Sequence, residues 1–62
     1  MLEERKAEIY ASLVAEVEAY AKEGRRITRF EVLKILDGWF GQFDRDHIDL
    51  AEKLYADGFV DE

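Results

Sequence analysis

Between Ile27 and Phe40 the chain reads ITRFEVLKILDGWF. Its apolar positions Val32, Leu33, Ile35, Leu36, Trp39 and Phe40 recur with the period of a helix and spread over more than half of its circumference. Glu31, Lys34, Asp37 and Gly38 define the wet side. An apolar arc this wide must be covered from two directions, or part of it remains for a partner. Thr28 and Glu31 form a T-x-x-E capping box, with Ile27 and Val32 at the two positions of a hydrophobic staple, so the spacing predicts a helix over 29–40. Gly38 and Gly41 each permit the left-handed residue that ends a helix, and the sequence does not choose between them.

The flanking segments are amphipathic. Leu2, Ile9, Tyr10, Leu13, Val14, Val17, Tyr20 and Ala21 share one arc, with Glu4, Glu8, Ser12, Glu16 and Lys22 opposite, which predicts a first helix over 2–23 closed by Gly24. At 1.5 Å per residue it would be about 33 Å long, more than a small core needs. Its first turn is expected to fray or to pack on a second copy. Asp44 is the expected N-cap of a third helix over 45–57, with Phe43 and Ile48 as its staple and Ile48, Leu50, Ala51, Leu54 and Tyr55 as its apolar face. Gly58 closes it, Phe59 folding back toward Leu54, and Val60-Asp61-Glu62 is expected to be no more than an extended stub. The expected architecture is one all-α domain over 1–62, a three-helix bundle with the second helix central. The two shorter helices could also meet steeply, as in a helix-turn-helix.

Length and composition narrow the functions open to this fold. At 62 residues there is no room for an interdomain cleft, and the absence of cysteine removes disulfides and thiolate metal sites. The opening MLEERKAEIY carries charges where a signal peptide needs an apolar run, and no stretch is long and apolar enough for a membrane span. A cytoplasmic protein is expected. The net charge of −6 opposes general affinity for nucleic acid or anionic lipid. That charge is unevenly spread: residues 22–36 hold five bases against two acids, and residues 37–62 hold eight acids against two bases.

Candidate chemistry is sparse. Asp44, Asp46, His47 and Asp49 offer oxygen and imidazole donors, but on a helix Asp46 and Asp49 face away from His47, and first-turn carboxylates suit the positive helix end without a metal. His47 is the sole histidine, and the only serine, Ser12, lies on the polar back of the first helix. With no phosphate loop or hydrolase signature either, no enzyme, catalytic residue, cofactor or metal is expected. Lys22, Arg25, Arg26, Arg29 and Lys34 form a basic turn; Arg25, Arg26 and Arg29 could contact phosphate, contact an acidic partner, or simply be solvated at a helix end. Trp39, Phe40 and Phe43 in WFGQF either fill the bundle or anchor an interface. Asp46, Asp49, Glu52 and Asp57, followed by Asp61 and Glu62, make the third helix and tail acidic.

The order of these features resembles region 1.1 of primary bacterial sigma factors across residues 13–62. The resemblance rests on I-T-x-x-E-V-L-x-x-L in Ile27–Leu36, D-x-x-H-I-D-x-A-E-K-L from Asp44 to Leu54, and the closing G-F-V-D-E of Gly58–Glu62. It implies a small acidic helical domain that occupies the DNA channel of RNA polymerase and is displaced by promoter DNA, with the acids from Asp44 to Glu62 as the matching property. The Arg25-Arg26-Arg29 cluster, the WFGQF connection and the lack of further sigma regions depart from that pattern. A free-standing relative, of phage or plasmid type, would inhibit a nucleic-acid enzyme by occupying its channel.

The leading expectation is therefore a non-enzymatic interaction module, with Trp39, Phe43, Asp46, Asp49, Glu52 and Asp57 meeting a basic groove on a larger protein. A structural or designed bundle, or a homodimer formed through the long first helix, is the alternative. A winged-helix-like nucleic-acid binder using the basic turn is the third reading. Against it, the third helix offers aspartates where base-reading side chains would be needed.

Overall fold

Three helices form where the periodicity places them: α1 (Glu3–Lys22), α2 (Arg29–Phe40) and α3 (Arg45–Ala56), seen in a computed structural model that describes residues 2–42 and 44–62. The bounds of α2 agree with the sequence expectation. Those of α1 and α3 are shorter by a residue at the ends where their caps take over.

Local signals set each boundary. At the start of α2 the Glu31 backbone N–H donates to the Thr28 hydroxyl at 3.3 Å, and the Thr28 N–H donates to the Glu31 carboxylate at 3.3 Å. Its end falls at Gly41, which takes φ +72° and donates to the Asp37 carbonyl at 2.7 Å; Gly38 stays inside the helix. α3 ends in a Schellman turn, with the N–H of Phe59 on the Leu54 carbonyl at 2.9 Å and that of Gly58 on the Tyr55 carbonyl at 3.0 Å. Gly58, at φ +85°, supplies the left-handed step that this pattern needs.

A single apolar cluster joins the elements: Ile9, Leu13 and Val17 of α1, Val32 and Leu36 of α2, Leu50, Ala51 and Leu54 of α3, and Ile27 and Val60 outside the helices. α3 packs on both α2 and α1, the central place that the sequence pattern gave to α2. The outer part of α2's wide arc is left uncovered, with Trp39 and Phe40 both exposed. On α3 the apolar face is narrower than the spacing suggested, since Ile48 and Tyr55 lie at its exposed edge. Leu2 is exposed as well, ahead of the first turn of α1. The long dimension of the molecule, 32 Å against 20 and 18 Å, is the length of α1.

The tail does more than the stub expected of it. Asp61 forms a parallel bridge with Thr28: its N–H donates to the Ile27 carbonyl at 2.9 Å, and its carbonyl accepts from Arg29 N–H at 2.9 Å. Val60 and Ile27, the residues that precede the bridged pair, are both buried. The last residues thus fasten the end of α3 to the start of α2.

Candidate interaction surface

The acids and bases singled out in the sequence largely meet one another. Arg26 grips Asp61 from Nε at 3.1 and 3.2 Å and from Nη2 at 3.0 Å, with a further contact from Nη2 to the Gly58 carbonyl at 3.5 Å. The hydrogen bonds and charge of Arg26 hold the Asp61 carboxyl below its ordinary value, and Asp61 in return raises the guanidinium. Arg29 lies against Glu52 at 3.7 Å and Glu62 at 3.4 Å, with its guanidinium 4.8 Å from the Tyr55 ring centre. Arg25 pairs with Glu31 at 3.5 Å and covers Tyr20.

The rest of the acidic series is also engaged. Asp46 meets Lys6 at 3.3 Å, Asp49 meets Arg45 at 3.6 Å, and Asp57 meets Lys53 at 3.2 Å. Asp57 also accepts from the Tyr10 hydroxyl, and that hydrogen bond, followed by the hydrogen bond and charge of Lys53, lowers the Asp57 carboxyl. On the other side of that bond, burial and then Asp57 push the Tyr10 phenol up to about 12.

Arg25, Arg26 and Arg29 thus each have an acid of the same chain beside them, and Asp46, Asp49, Glu52 and Asp57 each a base. Arg26 and Arg29 fold onto the acids of the C-terminal half, because the Thr28–Asp61 bridge brings the two segments side by side, whereas Arg25 pairs within its own stretch. Acids with no ion pair among the described residues include Glu4, Glu16 and Glu18 of α1 and Asp37 of α2.

Asp44 and His47, candidate metal donors in the sequence, are occupied locally. The Asp44 carboxylate accepts from the N–H of Asp46 at 3.0 Å and of His47 at 3.3 Å, and His47 Nδ1 accepts from the Asp44 N–H at 3.3 Å. Among the described residues no group of three or more metal-ligating side chains comes together.

Apolar side chains also remain outside. Phe30 is 65% exposed and Ile48 39% exposed, on the two sides of a groove between α2 and α3. Leu33 and Ala51 also line this groove of about 310 Å³, and Arg29, Glu52 and Glu62 stand at its polar edge. At the far end of α2, Trp39 is 41% exposed and sets its ring edge-to-face against Phe40 at 6.4 Å. Phe43, the other aromatic expected here, lies outside the described residues.

The groove was not found from sequence. Its signal was Phe30, which at helical spacing falls off the Val32–Leu36 stripe and so has no place in the core. Comparison with protein families, with curated proteins and with solved structures gives no match to this chain. No helix is long and apolar enough to cross a membrane.

Proposed function

We propose that this chain is a non-enzymatic protein–protein interaction module that docks through the apolar side chains its own fold leaves outside. The observation that carries the reading is the groove between α2 and α3, where Phe30 and Ile48 stand exposed beside a core that is otherwise filled with buried aliphatics. Trp39 is a second anchor of the type enriched in interface hot spots. Charge has a lesser role, because Asp46, Asp49, Glu52 and Asp57 must first leave their internal partners before they can meet a basic groove. The net charge of −6 still favours a basic partner surface. The resemblance to sigma region 1.1 makes bacterial RNA polymerase core enzyme the first such partner to try.

Immobilised chain is tested for capture of the core enzyme, with wild type beside a Phe30→Ser, Ile48→Ser double variant. The expected result is retention by wild type, and loss by the double variant with its helical circular dichroism unchanged. Equal retention by both removes the groove from the reading, and no retention by either removes this partner.

One observation favours a second copy as the occupant. Arg29 lies on the α2 side of the groove and Glu52 on the α3 side, so two grooves facing each other along their length would set base against acid. Sedimentation distinguishes the cases: a dimer abolished by the same double variant assigns the groove to self-association.

A further inference from the structure

The three helices do not end alike. The last carbonyls of α1 are taken up by the turn that follows, Tyr20 accepting from the N–H of Glu23 and of Arg25 and Ala21 from that of Gly24, each at 3.0 Å. Those of α3 are taken up by its Schellman turn. α2 closes with one bond, from Gly41 N–H to the Asp37 carbonyl, and among the described residues no backbone N–H reaches the carbonyls of Gly38, Trp39 and Phe40. α1 has Lys22 and α3 has Lys53 in the last turn, where a cation offsets the negative helix end. α2 has no base there, and its last turn begins with the acid Asp37.

Gly38 leaves this end bare. It has no positive φ, and a Cβ would meet nothing within 4 Å, so the fold itself does not require glycine at this position. Glycine inside a helix weakens it; what it provides here is uncovered main chain beside Trp39.

The aromatic rings give a second, independent sign. Lys53 lies over Tyr10 at 5.1 Å, Arg25 over Tyr20 at 4.9 Å, Lys34 over Phe30 at 5.8 Å, Arg5 over Phe40 at 6.0 Å and Arg29 over Tyr55 at 4.8 Å. Trp39, 41% exposed and the ring type that holds a cation best, has none among the described residues. Arg5 is nearby, but it lies on the neighbouring Phe40 ring and pairs with Glu8 at 3.9 Å.

Taking the chain as a module for a basic partner, we infer that the C-terminal end of α2 is a receptor for an arginine side chain of that partner. The guanidinium stacks on the Trp39 indole and donates to the free carbonyls of the last turn, with Asp37 adding negative charge to the same helix end. A planar fork of donors does both at once, which the compact ammonium of lysine does not. A second copy of this chain is a weaker source, since each of its arginines already faces an acid of its own.

The probe is an acetylated, amidated glycine peptide carrying two arginines, beside twins with citrulline or lysine in their place. Nitrogen-15 spectra follow the indole signal of Trp39, the sole tryptophan, and the amides of Phe40 and Gly41. The expected result is a saturable shift with the arginine peptide that weakens with added salt, and binding about tenfold weaker for the citrulline twin. Trp39→Leu, followed through the two amides, should weaken the arginine peptide to the level of that twin. Gly38→Arg, which supplies the cation from within, should abolish the response while the helical circular dichroism is kept. An unmoved indole signal, equal binding of arginine and citrulline peptides, or an undiminished response in Gly38→Arg overturns the inference, and equal binding of the lysine twin overturns the choice of arginine. The probe is a free peptide, so its response depends neither on capture of the core enzyme nor on the α2–α3 groove, and the Phe30→Ser, Ile48→Ser variant should respond as wild type does.

Discussion

Leu36 and Leu54 are fully buried where α2 meets α3, whereas Leu33, on the same helix as Leu36, is only partly covered because it borders the open groove. All three stand at apolar positions of their helices; only their surroundings separate them. Replacing Leu36 or Leu54 with alanine removes side-chain volume from a site with no exposure and is expected to cost about 2–5 kcal/mol. Leu33→Ala creates less of a cavity and should cost clearly less. Urea unfolding monitored by circular dichroism checks the ranking, and an equal loss at all three positions would contradict it. The same contrast holds for charged residues. Arg26 and Asp61 are each unremarkable surface types, yet together they make three short contacts, because the backbone bridge beside them fixes their separation.

At the scale of the element, boundaries were the most legible feature of the chain. A capping box depends on side chains three residues apart, so Thr28 and Glu31 can form it whatever the remainder of the molecule does. The Asp44 cap and the Schellman turn at Gly58 are local in the same way. Thr28→Ala removes one acceptor at the start of α2 and leaves the main-chain bridge to Asp61 intact. The expected loss is about 0.5–2 kcal/mol, seen as a melting midpoint lowered by several degrees with an unchanged denaturant m-value. A change in m-value would mean that the bridge had opened too. Which faces of these helices are covered was less legible, because periodicity shows that a face is apolar but not whether a neighbour reaches it. Phe30, Ile48 and Trp39 are the result.

For the whole molecule the deciding feature is the closure of the chain on itself. Val60 and Ile27 are buried outside any helix, and the Asp61 backbone joins the loop before α2. The Asp57 and Asp61 carboxyls are both held below their ordinary values, the first chiefly by the Tyr10 hydrogen bond and the second chiefly by Arg26. A depressed carboxyl contributes stability above its unfolded pKa of about 4 and loses it as pH falls through the folded value. Acid below about pH 4 is therefore expected to loosen the tail, and Arg26→Ala to flatten that part of the profile. Thermal melts of the two proteins between pH 5 and pH 2 would check this; identical slopes would contradict it.

The sequence by itself determined that the chain is helical and where its helices start, since caps depend on residues within a few positions of each other; the choice of Gly41 over Gly38 as the end of α2 came only with the structure. It also held the helical residues of the core, because a 3.6-residue period marks them whatever their partners, whereas Ile27 and Val60 lie outside that period. Only the tertiary structure decided that α3 packs on both other helices, that the tail pairs with Thr28, and that Arg26 and Arg29 meet acids of the C-terminal half. Each of these joins groups distant along the chain, and no local rule brings such groups together. The groove between α2 and α3 is of the same kind, since an apolar side chain becomes surface or core according to what packs over it.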